Sequence, residues 1–462
     1  METFDLLVIG SGPGGQRAAI QAAKLGKRAA VIERREIVGG VTAHTGTIPS
    51  KTLREAVLYL CGWREKGIYG RSHRVKADIT AGDLLERLNI TVRHEIEIIQ
   101  HQLSRNGVRV ISGLAKFLDP HTVEVTNVAG HVNQYRAEHI VVATGTVPHR
   151  PANIPFDDET IIDSDGLLLI RSIPRSMVVI GAGVIGVEYA TIFSALDARI
   201  TLIDSRNTIL DFVDSDIVDE FRHDLQARGI QLRLGEEVAS VEKCADGKVL
   251  TVLKSGKRIK SDLLMAASGR MGATGDLDLA KAGLEADDRG RLKVEPSYQT
   301  AVPHIYAVGD VIGFPALAST SAEQGRLAAC HAFASSGETS QEHFPLGIYA
   351  VPEISIVGKT ETQLRKEGIA YETGIARLRE TARGQIQGVQ EGLLKLLFDL
   401  KDHKLLGAHI VGEGATELIH IGQAVMAHGG TLEYFVGAVF NYPTFAEAYK
   451  IAALDAWNRV RA

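Results

Sequence analysis

Two glycine-rich segments of the sequence have the residue types and spacing that bind phosphate groups. Residues 10–15 read GSGPGG and residues 181–186 read GAGVIG, so both match the pattern G-x-G-x-x-G. In this pattern the first glycine permits a tight turn, the second lets the backbone approach a pyrophosphate, and the third lets a helix pack closely on a strand. The N-terminus of the helix that follows adds free N–H groups and the positive end of its dipole. One such motif is a weak signal, but two of them predict a pair of dinucleotide sites.

The residues around both motifs predict βαβ units. Apolar runs at residues 4–9 and 177–180 precede the motifs and predict buried strands, and second strands are predicted over 28–33 and 199–203. The two units also resemble each other at an offset of 171 residues, which would be unexpected if the glycines served packing alone. The identical pairs at this offset are Val8 and Val179, Ile9 and Ile180, Ala19 and Ala190, Leu25 and Leu196, Ile32 and Ile203, and Arg35 and Arg206.

Each second strand leads to an acidic residue that can recognise the ribose of a dinucleotide. Glu33 and Asp204 both stand 18 residues after the third glycine of their motif. A carboxylate at this place accepts hydrogen bonds from ribose hydroxyls, whereas an arginine accommodates a 2′-phosphate. Arg206 follows Asp204 by two residues, so the second site has groups suited to both NAD and NADP. Arg206 is equally well explained as a surface arginine, and both interpretations stay open.

The composition is ordinary for a globular chain of several domains. The 462 residues are 45% hydrophobic and 23% charged with a net charge of −5, and this length predicts roughly three domains. The charge balance does not favour nucleic acid or an anionic membrane as a partner. No apolar run reaches the roughly 20 residues that span a bilayer, and a strand is predicted to begin at Phe4 without a preceding signal peptide. We therefore expect a cytoplasmic protein.

Neither a disulfide framework nor a metal site is predicted. Cys61, Cys244 and Cys330 are scattered and form no C-x-x-C motif, so we expect three reduced, structural thiols. No cluster of histidine, cysteine or carboxylate residues has metal-ligand spacing. Residues 82–105 have leucine and isoleucine at helical spacing and predict a long amphipathic helix, on which His94 and His101 are expected to be solvated.

Residues 39–51, GGVTAHTGTIPSK, resemble the redox-active segment of the flavoprotein disulfide reductases, such as dihydrolipoamide dehydrogenase and glutathione reductase. In that family two cysteines separated by four residues precede Ile-Pro-Ser-Lys. Here threonine occupies both cysteine positions, at Thr42 and Thr47. A hydroxyl cannot form a disulfide, and its pKa is far too high for it to act as a thiolate. The redox dithiol of the family is therefore absent.

Residues 440–447, FNYPTFAE, resemble the second signature of the same family, in which His-Pro-Thr is followed by a glutamate that orients the histidine. Glu447 is kept, but Tyr442 occupies the position of the histidine that shuttles protons to the thiols. A phenol with a pKa near 10 is a poor proton shuttle at neutral pH. Because the thiols and their base are lost together, we expect chemistry other than disulfide reduction.

The resemblance assigns FAD to the first glycine motif and a nicotinamide dinucleotide to the second. Residues 143–145 and 306–310 match the FAD-binding pattern, with Asp310 at the ribityl chain and a helix near 320–335 pointing its N-terminus at the isoalloxazine. The residues implied for FAD are Gly10, Gly12, Gly14, Gly15, Glu33, Arg34, Gly40, Thr42, Thr47, Lys51, Ala115, Thr144, Gly145, Gly309 and Asp310. Those implied for NAD or NADP are Gly181, Gly183, Gly186, Asp204, Arg206 and Gly269.

Lys51 and Glu188 match the family's ion pair beside the flavin N5 atom. A buried carboxylate and a buried ammonium each need the other to offset the cost of desolvation. The resemblance implies that this pair tunes the flavin and shapes the nicotinamide pocket. Together with Tyr442 and Glu447, these two residues are the expected catalytic group.

The resemblance also implies an α/β fold with two Rossmann-like dinucleotide-binding domains and a C-terminal α+β dimerisation domain that forms a homodimer. The expected segments are 1–148 for the first part of the FAD domain, 149–269 for the NAD(P) domain, 270–340 for the second, central part of the FAD domain, and 341–462 for the interface domain. In the last segment, antiparallel strands are predicted over 347–358, 392–399 and 404–411, and helices near 414–428 and 446–460.

The resemblance is most specific to one family within this group, the soluble pyridine nucleotide transhydrogenases. The segments that resemble this family are TGTIPSK, FNYPTFAEAY and YAVGDVIG. Members of that family commonly keep a cysteine at the position of Thr42, but hydride exchange should not need it because it has no disulfide partner. The resemblance implies an FAD enzyme that exchanges hydride between NADPH and NAD⁺. Two alternatives stay open: an NAD(P)H diaphorase that passes electrons to a quinone, dye or oxygen, and a nucleotide-sensing binding module.

Overall fold

The computed structural model describes residues 1–70, 72–337 and 343–460. The chain divides into two compact units that each combine separate segments. The first unit consists of Met1–Leu53, Leu85–His149 and Gly269–Thr339, and the second of Arg54–Leu84, Arg150–Ser268 and Ser340–Ala462. The four-segment division into domains stays a prediction.

The strands are given first, in chain order. They are β1 (Glu2–Ile9), β2 (Ala29–Glu33), β3 (Arg109–Ser112), β4 (Leu114–Asp119), β5 (Thr122–Thr126), β6 (Val132–Val142), β7 (Thr146–Pro148), β8 (Ile161–Asp163), β9 (Ser176–Ile180), β10 (Arg199–Asp204), β11 (Gln231–Leu234), β12 (Val238–Lys243), β13 (Val249–Leu253), β14 (Arg258–Ser261), β15 (Leu263–Ala266), β16 (Arg270–Gly272), β17 (Ile305–Ala307), β18 (Leu346–Ile348), β19 (Ile354–Gly358), β20 (Tyr371–Arg377), β21 (Leu393–Asp399) and β22 (Leu405–Val411).

The α-helices follow, again in chain order. They are α1 (Pro13–Lys24), α2 (Gly40–His44), α3 (Thr47–Leu60), α4 (Lys66–Tyr69), α5 (Ala81–Arg105), α6 (Val184–Ala195), α7 (Ser215–Ala227), α8 (Ala318–Ala332), α9 (Glu361–Glu367), α10 (Ala382–Gln387), α11 (Ala415–Ala427), α12 (Leu432–Gly437) and α13 (Glu447–Val460). Among the described residues, none of these helices is both long enough and apolar enough to cross a membrane.

The first unit is built on a seven-stranded sheet in which β1 is flanked by β2 and β6, and β17 also pairs with β6. These strands are parallel to one another. Leu6, Leu7 and Val8 on β1 are fully buried, as expected for a parallel strand covered on both faces. The apolar run therefore fixes β1 in the centre, and the glycine motif follows at its carboxyl end.

The second unit repeats this arrangement around the second motif. Strand β9 lies between the parallel strands β10 and β15, and β11 and β8 complete a five-stranded sheet. Helix α6 makes the crossover from β9 to β10 and is almost entirely buried. The predicted α/β fold with two Rossmann-like sheets is confirmed.

The second unit also contains an antiparallel sheet with the order β18-β19-β22-β21-β20. Helices α11 and α13 pack on it with buried alanine, isoleucine and tyrosine side chains. The prediction of one strand over 347–358 was wrong, because the segment forms the two strands β18 and β19. Pro352 between them has no N–H group to donate to a ladder. Strand β20 was not predicted, since its polar residues alternate only weakly with apolar ones.

The predicted long helix over 82–105 is confirmed as α5. Leu84, Leu88 and Leu103 are buried on one face, whereas His94 and His101 are exposed, as expected for solvated histidines.

Candidate functional site

The first glycine motif forms the turn between β1 and α1. Gly10 has a φ of +108°, and a Cβ atom on it would lie 2.3 Å from the carbonyl oxygen of Ala143. A Cβ atom on Gly15 would lie 1.9 Å from the carbonyl oxygen of Gly10. Only glycine fits at these two places, which confirms the tight turn and the close helix packing that the motif predicts.

At Gly12, neither the backbone conformation nor a close protein contact requires glycine. Its φ is −66°, a value open to any residue, and no protein atom lies within 4 Å of the Cβ position. The space beside Gly12 therefore fits a ligand that must approach the backbone at the N-terminus of α1, as a pyrophosphate does.

The carboxylate of Glu33 holds the same turn. Its Oε2 atom accepts hydrogen bonds from the backbone N–H of Ser11, at 3.1 Å, and from the Ser11 hydroxyl. Its Oε1 atom accepts from the backbone N–H of Arg35 at 3.1 Å. This leaves a lone pair on Oε1 for a ribose hydroxyl, because a carboxylate oxygen accepts two hydrogen bonds.

A cleft lies along this turn within the first unit. The structure brings together there most of the residues that the sequence assigned to FAD. Those lining the cleft are Gly10, Gly12, Gly14, Glu33, Arg34, Gly40, Thr42, Thr47, Ala115, Thr144, Gly145, Gly309 and Asp310. Gly15 instead serves helix packing, and Lys51, half-buried on α3, is not among the described residues that line the cleft.

The two threonines that replace the cysteines both face this cleft. Thr42 lies inside the short helix α2, and Thr47 is the first residue of α3. The thiols of Cys61 and Cys330 are buried elsewhere, and neither residue is among those lining the cleft in the described part of the chain.

The chemistry of the cleft lining fits FAD. The Thr144 hydroxyl is buried without a hydrogen-bond partner in the protein, so it can bond a ligand. At the other side, the burial of Asp310 raises the pKa of its carboxyl, and Arg270 and Thr146 only partly oppose this. An acid placed in this way pairs well with the hydroxyls of a sugar-like chain.

Sequence reasoning missed several polar residues of the cleft, among them Thr146 and Ser321. Thr146 donates a hydrogen bond to Asp310 at 3.4 Å and accepts one from Nε of Arg270 at 2.8 Å. Ser321 lies in the first turn of α8. The signal that could have found Thr146 is its place two residues after Thr144, where β7 begins.

The second glycine motif has the same geometry in the second unit. A Cβ atom on Gly181 would lie 2.4 Å from the carbonyl oxygen of Ala267, and one on Gly186 would lie 1.8 Å from the carbonyl oxygen of Gly181. Gly183 again has an ordinary φ, −79°, and an open Cβ position. The N-terminus of α6 is therefore as well suited to a pyrophosphate as that of α1.

Asp204 and Arg206 contact each other, which the sequence did not predict. Nε and Nη2 of Arg206 donate to the two carboxylate oxygens of Asp204 at 3.0 and 2.8 Å. Burial opposes the charge on Asp204, but these bonds and one from the N–H of Ala182 outweigh it and hold the Asp204 pKa below its usual value. Arg206 keeps a 40% exposed side chain, so it remains within reach of a ligand.

Glu188 is buried on α6, and its Oε1 accepts a hydrogen bond from the backbone N–H of Tyr349 at 2.8 Å. Lys51 belongs to the first unit and Glu188 to the second, and their ion pair stays a prediction. Gly269, which accepts a hydrogen bond from the N–H of His149, has a φ of +98° that favours glycine.

The C-terminal signature lies just before α13. Tyr442 is 77% exposed. Glu447 begins the helix, and its carboxylate accepts a hydrogen bond from the backbone N–H of Ala382 at 2.9 Å. The catalytic roles of both residues stay predictions.

Comparisons with known proteins agree with the presence of two glycine turns that can bind dinucleotides. The family model described as pyridine nucleotide-disulphide oxidoreductase matches residues 4–325, and the model of its dimerisation domain matches residues 344–453. A soluble pyridine nucleotide transhydrogenase of Mycobacterium bovis strain BCG is 53% identical, over 100% of this chain and 99% of the relative. The chain belongs to the soluble pyridine nucleotide transhydrogenase family. A transhydrogenase of Colwellia psychrerythraea is 44% identical, over 99% and 98% of the two chains.

Solved structures place this transhydrogenase family member among the flavoprotein disulfide reductases. LpdA from Mycobacterium tuberculosis is 24% identical with a TM-score of 0.89, over 98% of this chain and 99% of its own, which shows the shared fold. The HOCl-induced flavoprotein disulfide reductase RclA from Escherichia coli is 26% identical with a TM-score of 0.87, over 97% and 99%. As a member of its family, the chain is a flavin-dependent oxidoreductase that uses FAD and NAD(P)H, and it carries the family's dimerisation domain.

Proposed function

We propose that the protein is a cytoplasmic homodimer that transfers hydride from NADPH to NAD⁺, or in the reverse direction, with FAD as the intermediate carrier. The observation that carries this proposal is the pair of glycine turns, each open at its second glycine, in a chain that has threonine at both positions of the redox disulfide. Two dinucleotide sites without a dithiol leave a second pyridine nucleotide as the natural acceptor of the hydride.

The chain's own residues supply binding and orientation. The N–H groups at the start of α1 and α6 hold pyrophosphates, and Glu33 and Asp204 stand where ribose hydroxyls bind. FAD, when bound, supplies a flavin that accepts a hydride and gives it back. We assign the buried Thr144 hydroxyl, which has no hydrogen-bond partner in the protein, and the buried carboxyl of Asp310 to this cofactor.

Thr42 and Thr47 keep the cleft lined with polar side chains but offer no acceptor for the electrons. The electrons can then leave only by way of a second nucleotide or another diffusing acceptor. Lys51 and Glu188 are proposed to position the nicotinamide, with Tyr442 and Glu447 completing the site. One nucleotide must leave before the other binds, so we expect a substituted-enzyme (ping-pong) kinetic pattern.

An anaerobic assay tests the proposal. The purified holoenzyme is mixed with NADPH and NAD⁺, and all four nucleotides are quantified by chromatography. One NADH should form for each NADPH consumed, and lipoamide or glutathione disulfide should not replace NAD⁺ at a comparable rate. NADPH consumption that requires a quinone or dye and yields no NADH would make the protein a diaphorase. Nucleotide binding without turnover would make it a binding module.

A further inference from the structure

The guanidinium group of Arg206 lies between two carboxylates. Besides its two bonds to Asp204, it donates from Nη1 to Oδ1 of Asp211 at 2.8 Å. The side chain of Asp204 is buried, whereas those of Arg206 and Asp211 are 40% and 48% exposed. The three charges sum to −1, at the end of the strand where the adenosine ribose of a dinucleotide is expected.

Asp204 has no lone pair left for a ribose hydroxyl while Arg206 is in this position. Its Oδ1 accepts from the backbone N–H and from Nε of Arg206, and its Oδ2 accepts from Nη2 of Arg206 and from the N–H of Ala182. A carboxylate offers about four such places. Any nucleotide that binds through Asp204 must therefore first displace the Arg206 side chain.

Asp211 lies at the nucleotide turn, by analogy with the first motif. At the offset of 171 residues it matches Gly40, which lines the FAD cleft. In both units the segment that follows the second strand returns to the glycine turn. The N–H of Gly39 donates to the Ser11 hydroxyl at 2.8 Å, and that of Leu210 donates to the carbonyl oxygen of Ala182 at 3.2 Å. A carboxylate thus stands in the second unit where the first has no side chain.

We propose that Asp211 is a specificity-determining residue that competes with a 2′-phosphate for Arg206. A nucleotide with a free 2′-hydroxyl needs Arg206 to leave Asp204, and Asp211 keeps the displaced guanidinium paired. A nucleotide with a 2′-phosphate must take Arg206 from Asp211 and bind against the negative charge of Asp211. Asp211 therefore favours NAD(H) over NADP(H) at a pocket that accepts both. This inference rests on the proposed use of NADP(H).

The test is calorimetric binding of NADP⁺ and of NAD⁺ to the oxidised holoenzyme, with and without Asp211→Asn. The substitution keeps the shape of the side chain and removes its charge. Loss of the exposed ion pair and of one repulsive charge should increase the affinity for NADP⁺ about three- to tenfold. The affinity for NAD⁺ should fall or change less than twofold. The gain should shrink at high salt, because surface charges are screened.

Two further variants decide whether Asp211 acts through Arg206. Asp219→Asn removes a charge from an exposed helical ion pair with Arg222 in the same unit and should change neither affinity. In an Arg206→Ala background, Asp211→Asn should lose more than half of its effect on NADP⁺. Three results would overturn the inference. They are an equal gain in affinity for both nucleotides, an unchanged affinity for NADP⁺, and an effect of Asp211→Asn that is undiminished in the Arg206→Ala background. Failure of the wild-type protein to bind NADP⁺ at all would instead overturn the proposed function.

Discussion

The Nζ atom of Lys395 lies 2.8 Å from Oδ1 of Asp214, and neither side chain is exposed to solvent. Nζ also donates to Asp216 at 2.7 Å and to Glu361. Burial opposes the charge on Lys395, but the bonds to three carboxylates outweigh it and raise the pKa of the ammonium. These contacts join α7 of the nucleotide-binding segment to β21 and α9 of the C-terminal sheet within the second unit.

Replacing Lys395 with Met should destabilise the second unit strongly. The carboxylate of Asp214 would remain buried without its partner, and breaking a buried pair in this way costs about 3–5 kcal/mol. The matched control is Lys404→Met, which breaks the exposed ion pair with Asp402 and should cost less than about 1 kcal/mol. The free energy of unfolding in urea measures both. Equal stability of the two variants would show that the buried cluster contributes little.

The same cluster predicts how stability depends on pH. Burial opposes ionisation of both Asp214 and Glu361. At Asp214 the proximity of His409 and the hydrogen bond from Lys395 outweigh it and hold the pKa below the ordinary 3.8. At Glu361 the hydrogen bonds from Lys395 and Tyr371 do the same and hold the pKa below the ordinary 4.5. A lowered pKa means that the unfolded chain takes up protons first. The stabilisation is therefore complete above about pH 5 and is lost as the pH falls through the ordinary values towards the folded ones.

In Lys395→Met stability should rise as the pH falls from 7 to 5, a range in which the wild-type cluster contributes a constant stabilisation. A buried carboxylate that has lost its ammonium partner prefers to be protonated, so mild acid should raise the melting temperature of the variant. Melting followed by circular dichroism at several pH values measures this. If lowering the pH reduced the melting temperature equally in the wild type and the variant, Lys395 would not be the partner that keeps these buried carboxylates ionised.

Arg206 and Asp204 should have opposite effects on nucleotide choice. Charge-assisted hydrogen bonds to a 2′-phosphate contribute roughly 1.5–3 kcal/mol, so Arg206→Ala should weaken the binding of NADPH about ten- to a hundredfold. It should not weaken the binding of NADH, because it removes the side chain that occupies Asp204. Asp204→Ala should weaken the binding of NADH, because the ribose hydroxyl loses its acceptor. The same change should relieve the repulsion between this carboxylate and the 2′-phosphate of NADPH. Affinities measured by flavin or nucleotide fluorescence test this. Equal weakening of both nucleotides by Arg206→Ala would assign it to general positioning.

A substitution at Glu188 can distinguish a role in hydride transfer from a role in stability. Glu188→Gln keeps an oxygen for the N–H of Tyr349 but removes the charge proposed to pair with Lys51. We expect both the reduction of the flavin by NADPH and its reoxidation by NAD⁺ to slow, as we do for Lys51→Met, with FAD content and melting temperature nearly unchanged.

Thr191→Val is the control for this prediction. The Thr191 hydroxyl accepts from the N–H of Val351 at 3.0 Å, one turn further along α6, and its loss leaves a buried donor unpaired at a cost of about 1–3 kcal/mol. This variant should melt at a lower temperature yet react at the wild-type rate. A Glu188→Gln or Lys51→Met protein that behaves in the same way would make the proposed pair structural.

The sequence predicted best the features that depend on neighbouring residues. Apolar runs and glycine spacing located β1 and β9 and both turns, since the reasons for Gly10 and Gly181 are local backbone geometry. Thirteen residues assigned by family resemblance line one cleft, and most of them belong to segments that follow the carboxyl ends of β1, β2, β6 and β17.

Contacts between distant residues were not predictable in this way. Lys395 and Asp214 are 181 residues apart, and their pairing depends on how β21 meets α7. The sequence marked Asp204 and Arg206 as alternative ribose groups but did not show that they bond each other and Asp211. Strand β20 was missed because its glycine and polar residues carry little strand signal, although Gly374 has to pass close to the backbone of Ala452.

Replacement of the redox cysteines by Thr42 and Thr47 limits the number of electrons that the protein can hold. Reductive titration under anaerobic conditions should end at two electrons per FAD, without the long-wavelength band of a thiolate beside the flavin. A variant with both threonines changed to cysteine should accept up to four. Uptake of four electrons by the wild type would mean that another redox group takes part.

The most direct test of hydride exchange follows the two half-reactions in one stopped-flow experiment. The anaerobic holoenzyme is reduced with one equivalent of NADPH, and the reduced enzyme is then mixed with NAD⁺ while the flavin absorbance is recorded. We predict that the flavin is bleached in the first step and fully restored in the second, with formation of one NADH per flavin and at rates that account for turnover. Reduction by NADPH followed by no reoxidation with NAD⁺, while a quinone restores the colour, would contradict a transhydrogenase.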